Sequence, residues 1–426
     1  MSSPEDKAEV QAQFLQENLA TAGQRVMVAR RADGSIDHLY QAGEILVKDA
    51  YLERVRAVLR PSAGSDLLAQ GGSGLIEGVT LLSLTGPDEV DVPGVLDLID
   101  AEVGVGVATP NHILSITPVH TCPASEPDLV PALAQPDPGI CDGGGSGVFI
   151  YVTDTGLLAG APAAHPWLAG VTGSVDPLEH GTIPGYAGHG TFIAGVARCM
   201  APSATVQVTD DFTVGGALSE AELVLKLGEA LSLGADIISL SAGGCTRKDL
   251  PLLSFSAFWN RYRDYKNVIM VAAAGNNSSR RPFWPAAFPD VVSVGALAAD
   301  GRSRAWFSDF GPWVDVYAPG ENLVNAYATG TYTYREPPRI GQVVHFHGMA
   351  RWSGTSFATP LVAGLVAARM SRTGETGRQA AQSLIGLARA QRVPGVGPVL
   401  RPCDCGDNRR SGPAGCGGAC GCGCGH

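Results

Sequence analysis

Four polar residues stand where apolar segments begin or end, and each could take part in chemistry. Asp154 closes the run "VFIYVTD", His189 sits in "GHGTFIAGVA", Asn276 follows "VIMVAAAG", and Ser356 lies in "WSGTSFATPLVAG". Singly, each has an ordinary structural role. Ser356 stands at the first turn of an apolar helix that reads from Thr359 onward, where Ser and Thr cap free N–H groups and a proline such as Pro360 is tolerated. Asp154 suits a turn, His189 a loop or a metal site, and Asn276 a turn after Gly275. No second His or carboxylate has a useful spacing on the helix after His189, which weakens the metal reading. Together the four supply what acyl transfer needs. A serine hydroxyl is a poor nucleophile until an imidazole removes its proton. The imidazole needs a carboxylate to fix its tautomer, and the tetrahedral intermediate needs donors at its oxygen.

The elements that must position these residues are legible. Runs 148–154, 205–210, 236–241, 268–275 and 291–297 are of strand length and read as continuous, mainly apolar stretches, as strands of a parallel sheet covered on both faces do. Helical segments alternate with them, among them "SEAELVLKLGEALSLG" (219–234), with Ser219 and Glu222 as a capping box and Gly234 at the end. The fold class expected is α/β, a doubly wound parallel sheet, with ligands at the carboxyl ends of the strands. Residues 44–118 form a small α+β pattern ahead of it: "EILVK", "AYLERVRAVLR", "GVTLLSL", "VPGVLDLIDAE" and "HILSIT" alternate strand and helix. Residues 1–43 read as a polar extension, helix-prone and then loop-like, without a motif. Residues 119–147 are rich in Pro and Gly and read as a flexible, protease-accessible linker. The catalytic unit is set at 148–400 and a Gly/Cys-rich tail at 401–426.

Segment 148–372 resembles the catalytic domain of the subtilisin-like serine peptidases, the subtilases. "DTG", "GHGT", "AAAGN" and "GTSFATP" match that family's four blocks, and "APSA", "SLSAGG", "FSDFG" and "DVYAPG" its connecting blocks. The resemblance implies Asp154, His189 and Ser356 as the triad, in the chain order Asp, His, Ser of the subtilisin arrangement, with Asn276 as oxyanion donor. It makes Ser241, Ala242 and Gly243 an edge that binds an extended peptide by strand addition. It also places Phe283 of "RPFWPAAFP" in the first specificity pocket, where a phenyl ring would shorten it. The implied function is a serine endopeptidase acting through an acyl-enzyme on peptide or protein substrates. Residues 44–118 are similar to the subtilase propeptide, which implies the chain's own N-terminal domain as inhibitor and a self-processed zymogen. The other reading is an inactive or never-activated peptide-binding module derived from a protease.

The chain departs from the family pattern at Phe192 and Leu361, where histidines are usual, neither being in the triad. No acidic residue in "LLAGAPAAHPWL" matches the start of a calcium site, so no metal and no cofactor is inferred. "ATGTYTYREPPRIGQVVHFHG" (328–348) reads as an inserted hairpin with His345 and His347 on one strand face.

Composition narrows the partners. Of the 426 residues, 45% are hydrophobic and 17% charged, which supports a large buried core. A net charge of −11 argues against a nucleic-acid partner. No run is long and apolar enough to span a membrane, and the acidic N-terminus shows no signal peptide, so the expected place is cytoplasmic unless export uses another route. Six of the ten cysteines (Cys403, Cys405, Cys416, Cys420, Cys422, Cys424) fall in the tail, without the spacing of a zinc ribbon. Cys199 and Cys245 read as buried thiols, and Cys122 and Cys141 could pair only in an oxidising compartment.

Overall fold

A computed structural model describes residues 4–60, 73–85, 90–116, 125–131, 133–178, 180–212 and 215–402. The chain opens with α1 (Pro4–Thr21), β1 (Val26–Arg30), β2 (Ile36–Lys48), α2 (Leu52–Leu59), β3 (Ser73–Ile76), β4 (Val79–Ser83), α3 (Val92–Glu102) and β5 (Ala108–Ser115). The strands are antiparallel: β2 lies between β5 and β4, β1 also pairs with β2, and β3 pairs with β4. Val55 and Leu59 of α2 are one helical turn apart, as are Val92, Leu96 and Ile99 of α3, so each helix lays one apolar stripe on Ile45 and Val47 of β2.

The extension expected over 1–43 is therefore corrected. Its described part holds α1, β1 and the first half of β2, and a boundary at residue 44 would cut that strand. β1 and β2 pair from Val26–Gln41 to Arg30–Ile36, so the segment contributes ladder and core rather than loop. The sequence hid it because Asp37, His38 and Gln41 interrupt the apolar pattern of β2.

The larger unit follows with β6 (Phe149–Asp154), β7 (Leu157–Leu158), α4 (Ala161–Ala164), β8 (Thr172–Gly173), β9 (Val175–Asp176), α5 (His189–Met200) and β10 (Thr205–Asp210). Next come β11 (Ala217–Ser219), α6 (Glu220–Ser232), β12 (Ile237–Leu240), α7 (Leu253–Tyr262), β13 (Ile269–Ala273), β14 (Val292–Leu297) and β15 (Val316–Pro319). The antiparallel hairpin β16 (Leu323–Thr333) and β17 (Val343–Trp352), then α8 (Thr355–Thr373) and α9 (Gly377–Ala390), complete it. Seven strands pair in the order β15-β14-β13-β12-β6-β10-β8, all parallel. From β6 the chain passes to the edge strand β8 and back to β10, then crosses to β12 and builds outward to β15, which leaves a crevice at the carboxyl ends near β6. Alternation sorts the core: Ile150, Val152, Ile237 and Val271 face α5 and α8, while Tyr151, Ile238 and Met270 face α6 and α7. The doubly wound sheet and the small preceding α+β domain are both present. Among the described residues, no helix is long and apolar enough to cross a membrane.

The linker needs a second correction. Its described part, 125–131 and 133–147, is laid on the larger unit by its own backbone. Asp128 exchanges backbone hydrogen bonds of 2.8 and 2.9 Å with Arg351, and Asp137 exchanges two of 2.9 Å with Val324. Cys141 N–H donates to Cys199 O at 2.7 Å, and Gly145 N–H to Ser371 Oγ at 2.7 Å. Glu126 is buried and accepts from the Tyr332 hydroxyl and from the backbone N–H groups of Arg335 and Glu336. Composition alone suggested mobility; backbone pairing with distant strands overrides it. Residues 117–124, with Cys122, and residues 403–426, with the tail cysteines, lie outside the described residues.

Candidate active site

Asp154 ends β6 and His189 begins α5, and the structure joins them. His189 Nδ1 lies 2.7 Å from Asp154 Oδ1, with both side chains fully buried. The same oxygen accepts from Thr155 N–H at 2.9 Å. His189 Nε2 is buried and has no hydrogen-bond partner among the described residues. The ring is held edge-on to Trp352 (5.5 Å between centroids) and against Phe357 (5.4 Å). Close approach of α5 to the Asp154 turn depends on Gly190, where a Cβ would stand 2.4 Å from Gly156 O.

A second carboxylate, which sequence reading missed, braces this histidine. Asp176 Oδ2 accepts from Gly188 N–H at 2.6 Å and from Thr155 Oγ1 at 3.0 Å, and Thr155 Oγ1 accepts from Gly190 N–H at 3.1 Å. Both chain neighbours of His189 are thereby tied to one buried cluster. Burial pushes the Asp176 carboxyl up to about 7, against the two hydrogen bonds it accepts. Only a lone Asp after an unremarkable "GSV" marked it in the sequence.

Ser356 is buried at the second residue of α8, which starts at Thr355 rather than Thr359. Gly354 holds the cap position and no side chain caps the helix, so Ser356 is not a cap. Pro360 stands four residues on and has no N–H to give to Ser356 O. The Ser241 hydroxyl takes that place, donating to Ser356 O at 2.8 Å. The proposed peptide-binding edge and the serine's helix are thus joined by the bond the proline leaves open.

Asn276 follows β13, with its Oδ1 accepting from Thr355 N–H (2.9 Å) and Thr355 Oγ1 (2.8 Å). That fixes the amide so that its NH₂ end points away from Thr355. Asp309 of "FSDFG" supports the same loop, its Oδ1 accepting from Asn277 N–H and Ser279 N–H at 2.8 Å each. Complete burial pushes the Asp309 carboxyl up to about 8.

Ser241, Ala242 and Gly243 continue from β12 and are met by the N-terminal domain. Ser115, the last residue of β5, donates to Gly243 O at 3.1 Å and accepts from Gly243 N–H at 3.0 Å. On its other side β5 pairs antiparallel with β11, and Ile116 N–H donates to Gly216 O at 3.0 Å. The end of the domain is therefore a strand clasped between two edges of the larger unit. Phe283 is buried behind Gly243 and Gly275: a Cβ on either glycine would come within 2.5 and 2.9 Å of its ring. Phe192 is buried and packs on Phe357 at 4.6 Å, a core residue where the family pattern has a histidine. His345 and His347 share a strand face, their rings 5.0 Å apart.

A model of the Subtilase family matches residues 145–401. The thermophilic serine proteinase of Bacillus sp. (strain AK1) is 31% identical over 278 residues, covering 61% of this chain and 60% of that protein. Thermitase of Thermoactinomyces vulgaris is 32% identical over 233 residues, covering 52% of this chain and 74% of that protein. Among solved structures, fervidolysin from Fervidobacterium pennivorans shares the fold with a TM-score of 0.55 at 18% identity, over 86% of this chain and 61% of that one. The chain thus spans less than two thirds of the Bacillus proteinase. With the family model over more than half its length and thermitase matched over most of its own, the chain belongs to the Subtilase family.

Proposed function

We propose that this protein is a serine endopeptidase with Asp154, His189 and Ser356 as its triad, made as a zymogen. The observation that carries the reading is the buried Asp154–His189 pair, whose Nδ1 is taken by the carboxylate while Nε2 is left to accept a proton. Ser356 Oγ attacks the substrate carbonyl as His189 Nε2 removes its proton, and Asp154 stabilises the imidazolium that forms. The oxyanion is met by Asn276 Nδ2 and by backbone N–H at the start of α8, whose dipole favours negative charge. His189 then protonates the leaving amine, and water activated by the same imidazole hydrolyses the acyl-enzyme. A fluorophosphonate probe should label Ser356 once the N-terminal domain is displaced. Absence of label in protein freed of that domain would favour the peptide-binding module instead.

The N-terminal domain acts as inhibitor in this reading because β5 takes the path of an extended substrate, paired with Gly243 and Gly216. Self-cleavage then falls within 117–124. The catalytic fragment keeps the chain from 125 onward, because 125–131 and 133–147 are part of its packing. In one host, the parent chain should be processed and Ser356→Ala should stay full length, as read by intact mass. A fragment starting at Val148, or a Ser356→Ala chain cut at the same bond, would contradict this.

Specificity follows from Phe283. With its ring behind Gly243 and Gly275, Phe283 shortens the first pocket, and the carboxyl that also lies behind Gly275, Asp309, is buried and taken up by the backbone N–H groups of Asn277 and Ser279. Small or modest apolar side chains are expected before the cleaved bond, and Phe283→Gly should move the preference toward large ones. A strong preference for Arg in library profiling would sink the assignment.

A further inference from the structure

The N-terminal helix α1 carries two stripes. Ala12, Leu15 and Leu19 pack on Val26, Ile36 and Leu39, which seats the helix on its own domain. Gln11, Phe14 and Asn18 form a second stripe one turn apart, which that packing does not use, and all three meet the larger unit. The Phe14 ring lies edge-on to Tyr186 at 5.3 Å, with the Arg335 guanidinium 4.8 Å from its centre. Its tip stands 3.2 Å from where a Cβ on Gly185 would be, so the absent side chain makes the floor of the seat. Gln11 Nε2 donates to Glu336 Oε1 at 2.9 Å in a buried contact, and Asn18 lies against Gly215. Arg335 and Glu336 come from the loop of the β16–β17 hairpin, held in place by Glu126.

This seat adjoins the cleft. Tyr186 is three residues before His189, and its ring edge meets Ile116 at Gly216, where a Cβ would be 3.1 Å from Tyr186 and 2.9 Å from Ile116. Beneath α1 a cavity of about 380 Å³ is lined by Phe14, Tyr186, Phe212 and Arg335 and reaches Thr155 and Asp176, the pair that braces His189. An aromatic wall, a cation above and a glycine floor suit one planar apolar ring. We propose that the seat of Phe14 is a binding subsite for a bulky aromatic side chain of the peptide substrate, and that α1 keeps it filled in the full-length chain. The inference rests on the peptidase reading above and adds a recognition element built by the hairpin.

With the N-terminal fragment still bound, Phe14→Ala should react with a fluorophosphonate probe at Ser356 at least tenfold faster than the parent, and Phe14→Trp should stay slow. Equal rates for parent and Phe14→Ala overturn the plug. In self-processed protein, library profiling should show enrichment of Phe, Tyr or Trp at one substrate position. Arg335→Ala, which removes the cation, and Gly185→Leu, which fills the floor, should each reduce that preference at least fivefold. A profile indifferent to both overturns the subsite. Failure of the peptidase reading looks different: Ser356 then takes no label in any variant, processed or not.

Discussion

Ser356→Ala and His189→Ala should each lower peptidase turnover by about 10⁴–10⁶-fold, and the double variant by no more than the larger single loss. The reason is that the two groups perform one event. Without the hydroxyl there is nothing for Nε2 to deprotonate, and without the imidazole the hydroxyl stays protonated at neutral pH. Residual catalysis would come from Asn276, the start of α8 and substrate binding, which neither substitution removes. Ser356→Ala should fold as the parent does, because the bond from Ser241 is made to the backbone oxygen of residue 356 and survives. His189→Ala removes a buried ring packed on Trp352 and Phe357, so its melting temperature should fall as well. Steady-state kinetics on protein cut in the 117–124 segment by an added protease and freed of the N-terminal domain, with a thermal melt for each variant, checks both statements. Additive losses in the double variant would mean that the two residues do not share a step.

Asn276→Ala should cost about 10²–10³ in turnover, roughly 2.7–4 kcal/mol of transition-state stabilisation, with little change in KM. Here the substitution does two things. It removes the Nδ2 donor, and it takes away the oxygen that holds the N–H and hydroxyl of Thr355, the residue before Ser356. Asn276→Asp separates them, since it keeps an acceptor for Thr355 and loses only the donor. If the donor matters, Asp is as damaging as Ala or worse, because its charge opposes the oxyanion. If positioning of Thr355 matters, Asp restores much of the activity. A large rise in KM at unchanged turnover in Asn276→Ala would move the oxyanion hole elsewhere.

Much of the larger unit could be read from the sequence by itself. Strands covered on both faces are largely apolar, so β6, β12, β13 and β14 announced themselves, β10 showed its buried face at Val206 and Val208, and the helices between them showed a 3.6-residue period. The types and order of Asp154, His189, Asn276 and Ser356, each at an element end, pointed to acyl transfer before any coordinates. Tertiary structure decided the rest. That 125–131 and 133–147 are bound rather than loose follows from backbone hydrogen bonds such as Asp128 with Arg351, which impose no side-chain pattern on a Pro/Gly-rich stretch. That α1 and β1 belong to the N-terminal domain follows from partners farther along the chain, Ile36 and Leu39 of β2 and Ile113 of β5. Asp176 and Phe14 gained their roles in the same way, from groups that only folding brings within 3 to 5 Å. Periodicity records which face of an element is buried, and it carries no information about what covers that face.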